Sequence, residues 1–448
     1  MSKNKSEIIE SKAQMIAHLQ AGCKPKDQWR IGTEHEKIGV CLHKNTPIPY
    51  SGIKSLLEKM QRFGWAGVFE GPNIIALKRD GASVSLEPGG QLELSGAPLE
   101  NVHETCSEVS QHLREVKEVA DEIGAGFISL GFRPETRLED VPIMPKGRYK
   151  IMRKYMTKVG THGQEMMFRT CTVQTNLDFG SEADMVKKFR VSLALQPLGT
   201  ALFANSPFMH GQLNGYNSYR SRVWLDTDPD RTGMLPFVFD EGFGFEQYID
   251  YALDVPMYFV YREGDYLDAS GLSFRDFLDG KLSTVPGQKP SLSDFDNHLS
   301  TIFPEVRLKT FLEMRGSDTG PWDELCAFSA FWVGLLYDAN SLDAAWDYVK
   351  NWTQEEREQL RRDVPQYGLH TRFQGRLLRH IARDILEISR QGLKARARLN
   401  GHGESETIFL QPLDEFVRTG MNNADLLVQK FLGEWGGDIS PVYKESAY

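Results

Sequence analysis

Four segments of this chain combine residue types and spacings that could do chemistry: Arg30–Glu36, Leu86–Glu93, Thr172–Asn176 and Arg307–Arg315. Each reads as a β-strand, and residues two apart on a strand point the same way. Glu34 then pairs with Glu36, Gln91 with Glu93, and Gln174 with Asn176, while Arg307, Lys309, Glu313 and Arg315 fall in one row. Sheets normally turn apolar residues inward. A charged inner row is costly unless metal ions, phosphates or opposite charges compensate it. A metal–nucleotide site is therefore the leading chemistry.

Glu34 and Glu36 are spaced to hold a hard cation, Mg²⁺ or Mn²⁺, that also binds phosphate oxygens. A structural ion pair is the competing reading. Glu34-His35-Glu36 is not a zinc-protease motif, because Gly39 stands where a second histidine is needed. Gly89-Gly90 permits a bend that re-aims side chains, and Glu93, between Leu92 and Leu94, points to a polar cavity or to solvent. Arg307, Lys309 and Arg315 suit phosphoryl groups, and Glu313 among them suits a bridging metal. Their neighbours Val306, Leu308, Leu312 and Met314 place the other face in a core. Met144–Tyr149 and Tyr219–Arg222 are basic stretches able to grip a carboxylate or phosphate. Taken alone, each reads as a surface loop. Asp226–Asp230 starts like a calcium loop, but Arg231 and Phe237 occupy the positions that need Gly and Glu. No P-loop is present, and Gly124-Ala125-Gly126 precedes a strand, so it is no dinucleotide fingerprint.

The elements that must position these residues are mixed. Helices are expected over 6–20, 51–63, 104–123 and 183–204, the last bent by Pro197. Strands are expected over 29–42, 74–78, 84–87, 91–95, 127–130, 166–179, 255–262 and 305–315, with a hairpin turn at Asp80-Gly81. The chain after about 322 reads as mainly helical, with its clearest stripe from Leu377 to Ile388 and Gly392 near the end of that helix. No regular βαβ period exists, so the class is α+β with a mixed or antiparallel sheet. The 448 residues fit one large catalytic domain, 1–448, with that helical part appended.

A net charge of −9 leaves no basic footprint for nucleic acid, and no apolar run approaches the roughly 18–20 residues of a membrane span. The N-terminus, polar and partly acidic, lacks the apolar core of a signal peptide, so a cytosolic protein is expected. Five cysteines are scattered without a CxxC pair, which excludes the common zinc frameworks.

Together these residues resemble the plant-type glutamate–cysteine ligases, also found in proteobacteria. The resemblance runs from about Gly22 to the C-terminus. Trp29–Lys37, Ser85–Gln91 and Arg169–Gln174 carry it, extended by Ala204–Phe208, Asp226–Gly233 and Thr301–Gly316. It implies a glutamine synthetase-like fold, a curved antiparallel funnel surrounded by helices. It implies ATP-dependent ligation of L-glutamate, through its γ-carboxylate, to L-cysteine by way of a γ-glutamyl phosphate, the first step of glutathione synthesis. Carried over by motif, Glu34, Glu36, Glu93 and Glu313 are the magnesium ligands, with Glu87 and Gln174 weaker candidates. Arg148 and Arg315 contact phosphate and serve catalysis, Lys309 joins them at ATP, and Arg220 and Tyr258 contact the amino-acid substrate.

A disulfide found in some plant members maps onto Ala269 and Thr284 and cannot form here. That region is tied to dimerisation in plants, so a monomer or a homodimer is expected. A second family disulfide maps onto Cys106 and Cys326, both cysteines here, and is expected as a redox switch. The rivals are a related γ-glutamyl ligase with another amine, a metal-dependent amidohydrolase and a non-catalytic nucleotide sensor.

Overall fold

The computed structural model describes residues 7–448. Its organising element is Ile31–Cys41, strand β1, whose 11 residues pair with four other strands. Thr46–Pro47 (β2) and Ala125–Ile128 (β7) pair with its second half. Leu92–Ser95 (β6) and Thr172–Leu177 (β8) flank its first half. Beyond β6 lie Ala82–Leu86 (β5), Asn73–Arg79 (β4) and Ala66–Glu70 (β3); beyond β8 lie Leu312–Asp318 (β10) and Val306–Leu308 (β9). The sheet order is β9-β10-β8-β1-β6-β5-β4-β3, ten strands with β2 and β7, and every pairing is antiparallel. The architecture is α+β, as expected.

Helices cover the sheet. They include Lys12–Gln20 (α1), Tyr50–Met60 (α2), Val102–Glu122 (α3), Gly147–Tyr155 (α4), Gly163–Arg169 (α5), Glu182–Leu202 (α6) and Tyr219–Trp224 (α7). The local chemistry of α3 is plain: Asn101 caps it by accepting from Glu104 N at 3.0 Å, and Val102, Cys106, Val109, Val116 and Val119 form its buried stripe. By contrast α6 and the later helix Trp322–Leu336 are buried nearly all round. With Leu378–Arg396 they form a core against β8–β10, while α2, α4 and α5 pack a second core against β4–β6. No single helix among the described residues is long and apolar enough to cross a membrane.

Several expected boundaries shift for physical reasons. The first helix starts at Lys12, where the Gln14 side chain accepts from Ser11 N at 3.0 Å; Ser6 lies outside the described residues. The expected strand 166–179 is a helix followed by a shorter strand. One helical turn buries Met166, Met167 and Phe168 together, and Thr170 Oγ1 donates back to Met166 O at 2.6 Å. The strand at 255–262 spans only Phe259–Arg262, because Val255 N still donates to Tyr251 O of the preceding helix. Residues 305–315 are a hairpin, not one strand: Lys309 N donates to Phe311 O at 2.8 Å and the chain reverses. Gly392 lies near the end of its helix, as expected. A Cβ there would meet Gly334 O at 1.8 Å, so the glycine permits two helices to cross backbone to backbone.

Candidate active site

Along the first half of β1, exposure alternates. Gly32, Glu34 and Glu36 are half-buried on one face; Thr33, His35 and Lys37 are fully buried on the other. Register extends the polar face sideways. Glu36 lies opposite Glu93 of β6, and Glu93 opposite Ser85 of β5. Glu34 lies opposite Gln174 of β8, and Glu313 of β10 opposite Asn176 of β8. Directly opposed residues share a face. Glu34, Glu36, Glu93 and Glu313 are therefore brought to one surface of four adjacent strands. Gly32 sits between Asn176 and that row: a Cβ would lie 3.3 Å from Asn176 Nδ2, which instead donates to Glu34 Oε1 at 2.7 Å.

The electrostatics divide this surface. Burial, then Glu313 and Glu93, push the Glu34 carboxyl up to about 7. Burial and Glu87 push Glu93 up to about 7. Glu36 is raised well above the carboxylate range by burial, Glu87 and Glu93, although Thr172 N donates to it at 2.9 Å. These acids face one another without enough positive charge. Glu313 is the opposite case. Burial pushes it up, but Arg307, Lys309 and Arg315 outweigh burial and hold it well below the usual range. Arg307 grips both its oxygens, Nε to Oε2 at 2.6 Å and Nη2 to Oε1 at 2.9 Å. Arg315 Nε and Lys309 Nζ stand 3.4 and 3.5 Å away. The expected single row is thus a cross-strand cluster, because the hairpin places Arg307 opposite Glu313 and Lys309 in the turn. The four acids do not form a ready cage: among the described residues no three acid, His or Cys side chains are spaced to hold an ion.

A cavity of about 560 Å³ opens beside the acids. Glu36, Glu87, Arg148, Arg220 and Arg315 supply its charge, with Met166, Met167, Trp224 and Phe303 among its apolar walls. Arg148 projects from the first turn of α4. Arg220 and Trp224 stand four apart on α7 and share one face. Ser218 fixes that helix, accepting from Ser221 N at 3.1 Å and donating to Asp318 Oδ1 at 2.7 Å. Arg220 Nη2 donates to Arg315 O at 3.0 Å. Yet Arg148 Nε, Arg220 Nε and Trp224 Nε1 are buried donors without partners. Burial lowers Arg220 and brings Arg315 down to about 10. Of the basic stretches expected as loops, Gly147–Tyr149 and Tyr219–Arg222 are helical, and Arg148 and Arg220 line a cavity instead of solvent.

Sequence similarity decides the family. The profile of Glutamate-cysteine ligase family 2 (GCS2) matches residues 30–445. This chain belongs to that family. Two relatives of the glutamate–cysteine ligase family, both named chloroplastic glutamate–cysteine ligases, are from Nicotiana tabacum and Arabidopsis thaliana. The first is 57% identical over 98% of this chain and 83% of its own length. The second is 58% identical over 97% of this chain and 82% of its own length. A solved structure of the glutamate–cysteine ligase of Francisella tularensis in complex with AMP shares the fold. Its TM-score is 0.57 at 12% identity, covering 93% of this chain and 87% of that one. The cytosolic expectation is corrected by these relatives, which are named as chloroplastic enzymes; the polar N-terminus was no guide to compartment.

The other positions nominated by resemblance to the ligase family do not line this cavity. Glu34, Glu93 and Glu313 stay in the row of acids on the sheet, and Lys309 reaches that row from the turn. Tyr258 is buried, its hydroxyl donating to the Met156 sulfur at 3.7 Å. Gln174 Oε1 accepts from Arg315 Nε at 3.4 Å. Gln91, paired by spacing with Glu93, instead ties the bend to α5, donating to Met167 O and Thr170 O at 3.3 and 2.8 Å. Cys106 of α3 and Cys326 are joined in a disulfide with Cα atoms 5.5 Å apart. Ala269 is a buried methyl, and Thr284 Oγ1 donates to Asp268 O at 3.0 Å. Sequence reasoning missed Trp224, whose four-residue spacing from Arg220 was the available signal. It also missed Arg361, which pairs with Glu305 at 2.8 Å beside a second cavity of about 290 Å³ sharing Arg220 and Arg315. No local pattern marked that contact, because 56 residues separate the two.

Proposed function

We propose that this chain joins the γ-carboxylate of L-glutamate to the amine of L-cysteine, consuming ATP and giving γ-glutamylcysteine, ADP and phosphate, the first step of glutathione synthesis. Family membership supports the reaction, and the AMP in the Francisella ligase supports an adenine nucleotide. The observation that carries the residue assignment is the unpaired set of buried donors, Arg148 Nε, Arg220 Nε and Trp224 Nε1, facing acids across one cavity. Buried cations without anions mark a place for an anionic ligand.

Glu34, Glu36, Glu93 and Glu313 are the residues that would hold Mg²⁺ or Mn²⁺. Mutually repelling carboxylates of this kind suit a hard cation that takes one or two carboxylates and completes its shell with phosphate oxygens. When bound, the metal supplies charge neutralisation at the transferring phosphoryl group. The protein's own residues do the rest. Arg220 grips the glutamate, with Tyr258 behind it. Arg148, Lys309 and Arg315 face the phosphates and offset the charge that develops as the γ-carboxylate oxygen attacks the γ-phosphorus and ADP departs. The cysteine amine then attacks the acyl carbon, phosphate leaves with the former carboxylate oxygen, and the amine loses a proton. The methionines and aromatics of the wall keep water from the acyl phosphate. The chain acts as one catalytic domain, its helical part from about 322 sharing the core behind β8–β10.

The assay is ADP release by purified protein with glutamate, ATP and a panel of amines. Release is expected to depend on glutamate and on cysteine together. Equal release with other amines would assign a different second substrate, and release without ATP-dependent coupling to any amine would overturn the reading.

A further inference from the structure

One buried carboxylate takes no part in the proposed ligation. Asp318 ends β10, the strand that also carries Glu313 and Arg315, and is 1% exposed. Among the described residues no lysine or arginine stands within ion-pair distance of it. Its hydrogen bonds go instead to the approach and first turn of α7. Oδ2 accepts from Asn205 N at 2.8 Å and from Ser206 Oγ at 2.6 Å, and Oδ1 accepts from Ser218 Oγ at 2.7 Å. Ser206 passes the contact on: its Oγ accepts from Arg220 N at 3.2 Å, and its carbonyl O from Tyr219 N at 3.3 Å. Gly131 makes room, since a Cβ there would lie 2.5 Å from Asp318 Cγ. A buried carboxylate is costly and is kept where hydrogen bonds satisfy it.

What those bonds hold is Arg220. A helix of 6 residues has too few internal bonds to fix itself, so α7 takes its place from what it touches. At its C-terminal end Arg361 Nη2 donates to Trp224 O at 3.3 Å. At its N-terminal end Asp318 ties it to β10, and Arg220 Nη2 reaches back to the same strand, donating to Arg315 O at 3.0 Å. Arg220 is thus fixed at its backbone and at one guanidinium nitrogen, while its Nε stays unpaired and its side chain lines the cavity. Charge acts in the same sense: burial lowers Arg220, and Asp318 is foremost among the acids that offset it. We propose that Asp318 is a positioning residue: through Ser206 and Ser218 it sets the first turn of α7 so that the Arg220 guanidinium meets the substrate carboxylate. This rests on the reading of Arg220 as the grip on glutamate.

The test is steady-state kinetics of the full chain with two variants. Asp318→Asn keeps the shape and removes the charge; Ser206→Ala removes the link to Arg220 N. Circular dichroism establishes that each is folded. Glutamate KM should rise at least about fivefold in Asp318→Asn and about threefold in Ser206→Ala, with kcat and ATP KM each within about twofold of wild type. In an Arg220→Ala background, where glutamate KM is already raised, adding Asp318→Asn should change it by less than about twofold, because the residue to be positioned is gone. A glutamate KM unchanged in either folded variant, glutamate and ATP KM rising together, or effects of Asp318→Asn and Arg220→Ala that multiply would overturn the proposal. Arg220→Ala with an unchanged glutamate KM would instead sink the reading of Arg220, and the proposal with it. Should Asp318→Asn fail to fold, Ser206→Ala, alone and with Arg220→Ala, decides.

Discussion

At the scale of single residues, the site sets acids whose protons burial and mutual repulsion hold more tightly against one acid kept ionised by three cations. Glu36 is the residue whose carboxylate reaches the cavity and also faces Glu93. Glu36→Gln should cut turnover by roughly 10²–10³ with an unchanged circular dichroism spectrum, since one charged ligand is lost and the shape is kept. Near-normal turnover at saturating Mg²⁺ would make the pair structural. The arginines should separate by substrate. Arg315→Lys should mainly impair ATP use, because an ammonium cannot reproduce a planar fork, whereas Arg220→Ala should mainly raise the glutamate requirement. Steady-state kinetics varying one substrate at a time reads both. The acids also predict a pH dependence. Glu34 and Glu93 go from 4.5 to about 7 on folding, so each binds its proton more tightly when folded. Their penalty is absent below the unfolded value, grows between the two values and is complete above about 7. The melting temperature of metal-free protein should therefore fall as pH rises from about 5 to about 8, and Mg²⁺ should restore most at the upper end. A melting temperature that rises through that interval with no Mg²⁺ effect would contradict the assignment of these carboxyls.

At the scale of elements, the β9–β10 hairpin gathers three cations on one buried acid. Glu313→Gln would leave Arg307, Lys309 and Arg315 around a neutral group and should cost about 3–5 kcal/mol, read as a drop in thermal or denaturant midpoint. A change within error would show that the cluster is hydrated. The disulfide ties α3 to the Trp322–Leu336 helix across a sequence separation of 220. Reduction should lower stability by roughly 2–4 kcal/mol, and Cys106→Ser should erase the difference between oxidised and reduced melts. Equal melts of the wild type would deny the bond a role. What the sequence revealed here follows from period. A two-residue alternation in Thr33–Lys37 and Leu92–Ser95 marks strands whose neighbours are set by the sheet, so the Glu34, Glu36 and Glu93 face was legible. The same alternation through Arg307–Arg315 misled, because a three-residue reversal at Lys309–Phe311 leaves the parity of the pattern nearly intact. Met166–Phe168 misled in the other direction: three consecutive apolar residues carry no period, and only the tertiary pocket beneath them favours a helical turn. The burial of Lys37 and His35 had no local signal at all, since their partners α3 and β7 arrive from about 75–90 residues away.

At the scale of the whole molecule, one antiparallel sheet separates two chemistries. Its one face carries the acids, with the arginine-lined cavity alongside; its other face packs α3 and the helix Trp322–Leu336, with Thr33 Oγ1 and Ser329 Oγ 3.0 Å apart. The family's motif strings lie both on this sheet, as Trp29–Lys37 does, and off it, as Asp226–Gly233 does, and the family profile spans residues 30–445. In the proposed reaction the γ-carboxylate of glutamate is activated by phosphorylation before the amine attacks. It is tested most directly by following oxygen. Glutamate labelled with ¹⁸O in its γ-carboxylate, incubated with ATP, cysteine and the purified protein, should yield phosphate carrying a single ¹⁸O per molecule alongside γ-glutamylcysteine, as mass spectrometry reads. Product formed with unlabelled phosphate would rule out a γ-glutamyl phosphate.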